Sequence, residues 1–468
     1  MRLFFFATII VSCLASCTTL QPAYERPAPS TASQFPDGAA YTQGGNPDSP
    51  PASDIGWGDF LRDPRLKRLI EIAVQNNQDL RVAALNVRQV QAQYRIQQSA
   101  LLPSVAGAAD NSASRTPGKT PESTHAYSVG VSAAWEIDFF GRLQSLSDAA
   151  LQQYFASQQA RRAAQILLIS QVADQYLTML ALDEQLAVTR QTLTGAQGSF
   201  DIVKLQFETG TGTELALRQA QSVVELANGN LAAQTRARAQ AENALVLLLG
   251  QALPADLPPS TRLGEQQILA DIPVGLPSDL LERRPDILQA EALLRSENAD
   301  VGAARAAFFP RISLTGSLGS AGATLGGLFG AGSLAWSFVP SIVAPIFQGG
   351  ALQASLDVAR VRKDIGVAQY EKAIQTAFRE VADGLAARGT YDNQLVAQER
   401  YTATQQRSLE LAEFRYQNGV DSYLNVLTAQ TGLYDAQQAL VATRLQRLTN
   451  LVDLYRMLGG GWIEHANV

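Results

Sequence analysis

The hydrophobic pattern of this chain changes period several times along its length. Ile166, Ile169, Ala173, Tyr176 and Leu180 recur at steps of 3, 4, 3 and 4, the seam of a coiled coil. No Pro interrupts residues 141–208, and none interrupts 350–417. As continuous helix, each stretch of about 67 residues would run roughly 100 Å, too long to fold back into an ordinary globule. Asp174, Gln175, Asp183 and Gln185 interrupt the apolar faces, and most such charges read as a solvated outer face. Shorter helices over 213–249 and 422–458 would return antiparallel, making Gly210 and Gly419 the tips of two helical hairpins.

Elsewhere the period is 2. Val129, Val131, Ala133, Trp135, Ile137 and Phe139 alternate with small or polar residues, as do Leu334, Trp336 and Phe338 later on. Segments of about ten residues with this alternation are the signature of membrane β-barrel strands. Residues 312–356 contain no Asp, Glu, Lys or Arg, while Gly-rich 316–332 and Pro340 and Pro345 argue against a membrane helix there. Four strands are predicted, around 104–111, 128–139, 311–319 and 333–340, the first weakly patterned. Closed membrane barrels begin at about eight strands, so several chains must share one barrel.

The whole pattern occurs twice. "QFETGTGTELALRQAQ" from Gln206 and "RYQNGVDSYLNVLTAQ" from Arg415 place Gly210 and Gly419 209 positions apart (419 − 210), and Ala220-Gln221 and Ala429-Gln430 keep that spacing. Asp79 and Asp286, and Pro103 and Pro310, stand 207 apart, and Gly141 and Gly350 stand 209 apart. The organisation that follows is a first repeat over 61–253, a Pro-rich linker over 254–277, a second repeat over 278–460 and a tail over 461–468.

The N-terminus supplies an address. Arg2, an apolar run to Val11 and then "LASC" have the length and polarity order of a secretory signal over 1–16, too short to span a bilayer. "LASC" resembles the bacterial lipobox, which implies a lipid on Cys17; the alternative is an ordinary cleavage site with an incidental Cys. Thr18 stands where the lipobox rule puts Asp for inner-membrane retention, so sorting to the outer membrane is implied. Residues 17–60, rich in Pro, Ala, Ser and Gly as far as about Asp54, read as extended chain lying over the fold or as a tether.

Composition narrows the functional classes. With 46% hydrophobic residues, 17% charged and a net charge of −6, the chain is neither disordered nor a nucleic-acid binder. Two His and two Cys leave little for His bases or metal cages, and no nucleophile-and-base constellation or phosphate loop is legible. The reading is no enzyme, no metal and no cofactor apart from the lipid on Cys17. His125, in the polar stretch "SRTPGKTPESTH", is predicted in an external loop, and Trp57 and Phe60 against the first helix. Trp135 and Trp336 suit either an interfacial aromatic belt or lipid-facing packing.

"WGDFLRDPRLKRLIEIAVQNNQDL" from Trp57, "LLERRPDILQAEALLRSENADVGAARAAFFPRI" from Leu280 and "RYQNGVDSYLNVLTAQ" together make the chain resemble the TolC family of outer membrane factors, in its NodT-type lipoprotein branch. The resemblance covers essentially the whole chain. It implies a homotrimer in the outer membrane lipid, in which twelve strands form one β-barrel and the helices a long coiled-coil α-barrel in the periplasm. It also implies an exit duct for a tripartite efflux system, with a periplasmic adaptor and an inner-membrane transporter of the resistance-nodulation-division type. The tips, Gly210 and Thr211 with Gly419, Val420 and Ser422, would then dock the adaptor. Asp421 matches a carboxylate that closes the periplasmic mouth in such ducts, although Asp421 or Ser422 could equally cap the helix that follows. Asn425 and Thr428 stand where other members carry aspartates, and Gly212 stands opposite Asp421, so any charged constriction comes from the second repeat. Rival readings are a duct for heavy-metal efflux or type I protein secretion, and a structural coiled-coil lipoprotein without a pore.

Overall fold

Long helices alternate with one antiparallel sheet in the computed structural model, which describes residues 19–28, 31–41, 50–117, 122–269 and 277–465. In chain order the main elements are α1 (Pro64–Asn76), α2 (Gln78–Ser99), β1 (Ser104–Thr116), β2 (Glu122–Ile137), α3 (Arg142–Glu208) and α4 (Glu214–Leu249). They are followed by α5 (Pro285–Ala306), β3 (Arg311–Gly322), β4 (Leu334–Val343), α6 (Ala351–Gln417) and α7 (Tyr423–Met457). Both α3 and α6 have 67 residues and start 209 positions apart, as the repeat requires. No described helix is long and apolar enough to cross a membrane. The chain divides into two compact units.

One unit gathers Leu85–Gln159 and Leu288–Lys372 with residues 19–28. Its sheet has the order β1-β2-β3-β4, antiparallel throughout. Two hairpins build it, and their registers are copies of each other. Ser104 pairs with Ala134, and Arg311, 207 positions after Ser104, pairs with Val343, 209 after Ala134. Directly opposed residues share a face, so Val131, Leu318 and Trp336 line one side together, as do Trp135 and Leu314. That apolar side remains open, with Leu318, Trp336 and Phe338 all exposed.

The strands run further than the sequence pattern indicated. His125 is not in a loop but in β2, opposite Ala113. Ladder bonds within a hairpin do not depend on an apolar face, so the strands continue through polar residues. Trp135 donates its indole N–H to the Leu101 carbonyl at 3.0 Å.

Residues 19–28 cross this unit as extended chain. They pass so near Gly141 that a Cβ there would lie 2.8 Å from the Thr19 Cα. Further along, Arg26 grips the buried Glu291 of α5 through two bonds of 3.1 and 2.9 Å, and Arg295 adds a third at 2.7 Å. Burial opposes ionisation of Glu291, but hydrogen bonds from the two guanidiniums outweigh it and lower the pKa.

The second unit holds the two helical hairpins. Asp183 of α3 meets Arg238 of α4 at 2.7 Å, and Thr189 meets Gln234, so these helices run antiparallel. Asp392 of α6 meets Arg447 of α7 at 2.6 Å, the same arrangement in the second repeat. The Leu280 motif owes its arginine to a junction: buried Arg284 binds Asp286 and Glu380 and donates to the Met457 carbonyl at the end of α7. Phe60 stacks on Tyr455 with centroids 4.0 Å apart, and Trp57 N–H bonds the Ile463 carbonyl. Trp57 and Phe60, expected against the first helix, thus also meet partners from the far end of the chain. Asp174 also departs from a solvated face: burial and then the nearby Asp453 push its carboxyl up to about 7.

Asp63 ties this unit together at the start of α1. One oxygen accepts from the Arg65 and Leu66 amides, the helix cap, and Pro64 at the first helical position lacks an N–H to satisfy. Its other oxygen accepts from Thr261 and Gln266 of the interrepeat linker and from Tyr176. Burial raises its pKa, but the hydrogen bonds led by Thr261 outweigh this and hold it below the ordinary 3.8. A depressed carboxylate stabilises the fold above its unfolded pKa, and that contribution fades as pH falls through the folded value. Asp63→Ala should therefore cost about 1–3 kcal/mol at pH 7. Thermal unfolding should show the gap from wild type narrowing below about pH 4; a gap independent of pH would contradict the ionised cap.

Candidate functional site

The two hairpin tips are built by one set of backbone bonds. In the first, Gly210 N–H bonds the Phe207 carbonyl and Thr211 N–H the Gln206 carbonyl. In the second, Gly419 N–H bonds Tyr416 and Val420 N–H bonds Arg415, each position shifted by 209. This is the helix-ending motif that needs a left-handed residue, and the φ angles of Gly210 and Gly419 are +78° and +71°. Gly210, Thr211, Gly419, Val420 and Ser422 are all exposed, with Val420 at 60%. The structure thus places every expected tip residue at a turn.

The tips diverge one step later. Gly212 N–H also bonds the Gln206 carbonyl, and a Cβ on Gly212 would lie 2.9 Å from the Phe207 nitrogen. A carboxylate cannot occupy that position without moving backbone. The second tip is more open there and carries Asp421. Its carboxylate takes two bonds from Arg415, at 2.5 and 3.2 Å, and Arg415 is the counterpart of Gln206. The hydrogen bond from Arg415 is the main cause that lowers the Asp421 pKa.

Capping also differs between the tips. Thr213 accepts from the Ala216 amide and caps α4, but Ser422, the corresponding residue before α7, makes no side-chain cap bond. The cap reading of Ser422 is therefore corrected, and the Asp421 carboxylate is engaged by a guanidinium. Gln206 uses its own side chain elsewhere, accepting from Tyr416 OH at 2.6 Å and so linking α3 to α6. Val203, Ala220, Tyr423 and Val426 form a buried apolar cluster among α3, α4 and α7.

Arg415, Tyr416 and Gln206 were not singled out in the sequence, although all three lie in the repeated strings. The available signal was the swap of Gln for Arg at equivalent positions, in the repeat that also swaps Gly for Asp. Cys17 lies outside the described residues. Among the described residues no group of three or more His, Cys, Asp or Glu is placed to hold a metal.

The geometry ranks the tip glycines. Nothing lies within 4 Å of a Cβ on Gly419, so Gly419→Ala carries only backbone strain, about 1 kcal/mol. Gly212→Ala meets backbone and should loosen its tip more. Amide hydrogen exchange should show a larger loss of protection around 205–216 in Gly212→Ala than around 414–425 in Gly419→Ala; the reverse order would contradict the tight first turn.

Comparison with known proteins agrees with this architecture. Residues 69–251 and 276–460 match the family described as outer membrane efflux protein, one match for each repeat. The chain is 46% identical over 460 residues to the antibiotic efflux pump outer membrane protein ArpC of Pseudomonas putida, covering 97% of this chain and 94% of that protein. It is 44% identical over 464 residues to the outer membrane protein OprJ of Pseudomonas aeruginosa, covering 98% and 96%. The crystal structure of the open state of the Neisseria gonorrhoeae MtrE outer membrane channel superposes with a TM-score of 0.88 at 38% identity, covering 96% of this chain and all of that one.

Proposed function

The chain belongs to the outer membrane efflux protein family, and from that premise we propose that three copies form the passive exit duct of a tripartite efflux pump. The observation that carries the reading is the four-stranded sheet, apolar on one face and open at both edges, in a chain that matches efflux channels over nearly its whole length. The chain is an outer membrane component working with an adaptor and an inner-membrane transporter. Its transporter would be of the resistance-nodulation-division type, and the exposed tips would meet the adaptor. Chemical work would be done by the inner-membrane partner, so the duct needs no catalytic residues and no cofactor. Its cargo would be small organic molecules, like the antibiotics for which the pump of ArpC is named. Removing the chain from its host should raise intracellular accumulation of such a compound severalfold, restored by the wild-type gene; unchanged accumulation in the absence of any substitute duct would contradict the reading.

Lipidation at Cys17 fits the passage of residues 19–28 along the sheet-bearing unit. Cys17→Ser should abolish incorporation of a radioactive fatty acid and reduce the amount held in the outer membrane, without eliminating it, because the barrel strands remain. Labelling of Cys17→Ser equal to wild type would refute the lipid anchor.

Asp421 would face the three-fold axis at the closed mouth. Because each carboxylate carries its own Arg415, the constriction is a ring of ion pairs and not a ring of bare negative charge. Asp421→Asn would leave the guanidinium unmatched. Bilayer recordings should then shift toward anion preference, more so than for a double variant with Arg415→Gln; identical selectivity in wild type and Asp421→Asn would place the pair away from the ion path.

A further inference from the structure

Among the described residues, Arg115 and His125 are the only Arg, Lys, His, Asp or Glu on the apolar face of the sheet, and they stand together at one end of it. Resting on the duct reading above, we propose that this pair holds a phosphate of an outer-leaflet glycolipid, one lipid per chain, against the outside of the barrel.

The pairing registers fix the face. Arg115 lies opposite Ser123 and His125 opposite Ala113, on the side that carries Val131, Leu318 and Trp336. Asp110 belongs to the other side, with Ser112 and Ser114. Arg115 and His125 are diagonal neighbours across the β1–β2 ladder, roughly 7–8 Å apart, which leaves room for one phosphate between their side chains. The guanidinium can give such a group two N–H bonds, the imidazole gives one in either tautomer, and the Ser123 hydroxyl shares their side. All three residues are exposed, and among the described residues neither Arg115 nor His125 is in an ion pair. The His125 ring is steadied by Tyr127, with centroids 6.5 Å apart and planes 16° from parallel.

Depth in the membrane points to the ligand. Trp135 marks the rim next to the helices, where its indole N–H bonds the Leu101 carbonyl between α2 and β1. His125 is ten residues away along β2 (135 − 125). That is roughly 34 Å along the strand, or about 26 Å along the membrane normal at a tilt near 40°. The apolar band of such barrels is about 25 Å tall, so Arg115 and His125 reach the opposite headgroup layer. A guanidinium in mid-bilayer is costly, whereas at the headgroups it meets anions. Chain connectivity puts α2 and α3 at the Trp135 end, so this layer is the external one, where the lipids carry phosphorylated sugars.

The second hairpin lacks the pair. Gly322 stands for Arg115 (115 + 207) and Leu334 for His125 (125 + 209), while Trp336 stands for Tyr127 (127 + 209). The aromatic position is kept and both cations are gone, so a hairpin of this register forms without them. The charges are therefore free to serve a ligand, and a trimer would offer one site per first hairpin.

Native mass spectrometry of the full-length protein in detergent, titrated with bis-phosphorylated lipid A, tests the site. Wild-type trimers should saturate at one tightly held lipid per chain. R115Q/H125Q should raise the half-saturating concentration at least about fivefold, and R115K, which keeps the charge, by less than about twofold. R311Q removes an exposed cation from the other side of the sheet and should change nothing. Lipid A stripped of its phosphates should bind wild type and R115Q/H125Q alike. Equal binding of the phosphorylated lipid by wild-type and R115Q/H125Q trimers, or an equal loss in R311Q, would overturn the site and leave the duct reading intact. Displacement by millimolar inorganic phosphate would reassign the site to the free ion and overturn the lipid. If the double variant does not assemble, R115Q and H125Q must each weaken binding by themselves, and an unchanged value in both overturns the proposal. A wild-type chain that forms no trimers would count against the duct reading itself.

Discussion

A backbone N–H or C=O facing hydrocarbon without a partner costs several kcal/mol, and a sheet edge presents a row of them. β4 has ten residues and β1 thirteen, and each has one side unpaired among the described residues. No side-chain packing elsewhere in the molecule offsets such a row in a bilayer. On the reading proposed above, the sheet is an arc that further copies would close, and the rest of the molecule is consistent with that demand. One of its faces is apolar, the chain just after β4 carries the exposed Ile346, and its hairpins share one register.

Duplication meets the demand economically. A hairpin repeated within the chain already contains one seam between repeats, so on the proposed reading copies would join without new geometry. The helical hairpins follow the same plan, with identical bonds at Gly210 and Gly419. Function enters where the copies cease to match. Gly212 packs too tightly for a side chain, while its counterpart Asp421 has room for a carboxylate and receives Arg415, the counterpart of Gln206. One repeat thus has a tight turn with no side chain at that position, and the other an ion pair at an exposed tip.

How much of this the sequence disclosed depended on the range of the interactions. The long helices were legible nearly to the residue, because freedom from Pro and a steady apolar seam are local properties, and α3 and α6 begin one residue after Gly141 and Gly350. Strand ends were less legible, since ladder bonds carry β1 and β2 through Ser, Thr and His positions that resemble a loop. Contacts between distant segments were hidden: nothing near Phe60 announces Tyr455, and nothing near Asp63 announces Thr261. Asp174 looked like a solvated charge because burial by α7 is invisible in the pattern of α3. The engagement of Asp421 was hidden for a subtler reason. An arginine near a helix C-terminus is already favoured by the helix dipole, so nothing in the local pattern points to a second partner for Arg415.

Closure by three copies is the claim on which the sheet, the repeat and the duct all rest. The most direct test is native mass spectrometry of the full-length protein released from detergent or nanodiscs, which counts chains without assuming a register. The account requires a complex of three chains, each bearing lipid, with twelve strands from three four-stranded sheets. A complex of one, two or four chains that still conducts ions in a bilayer would contradict it.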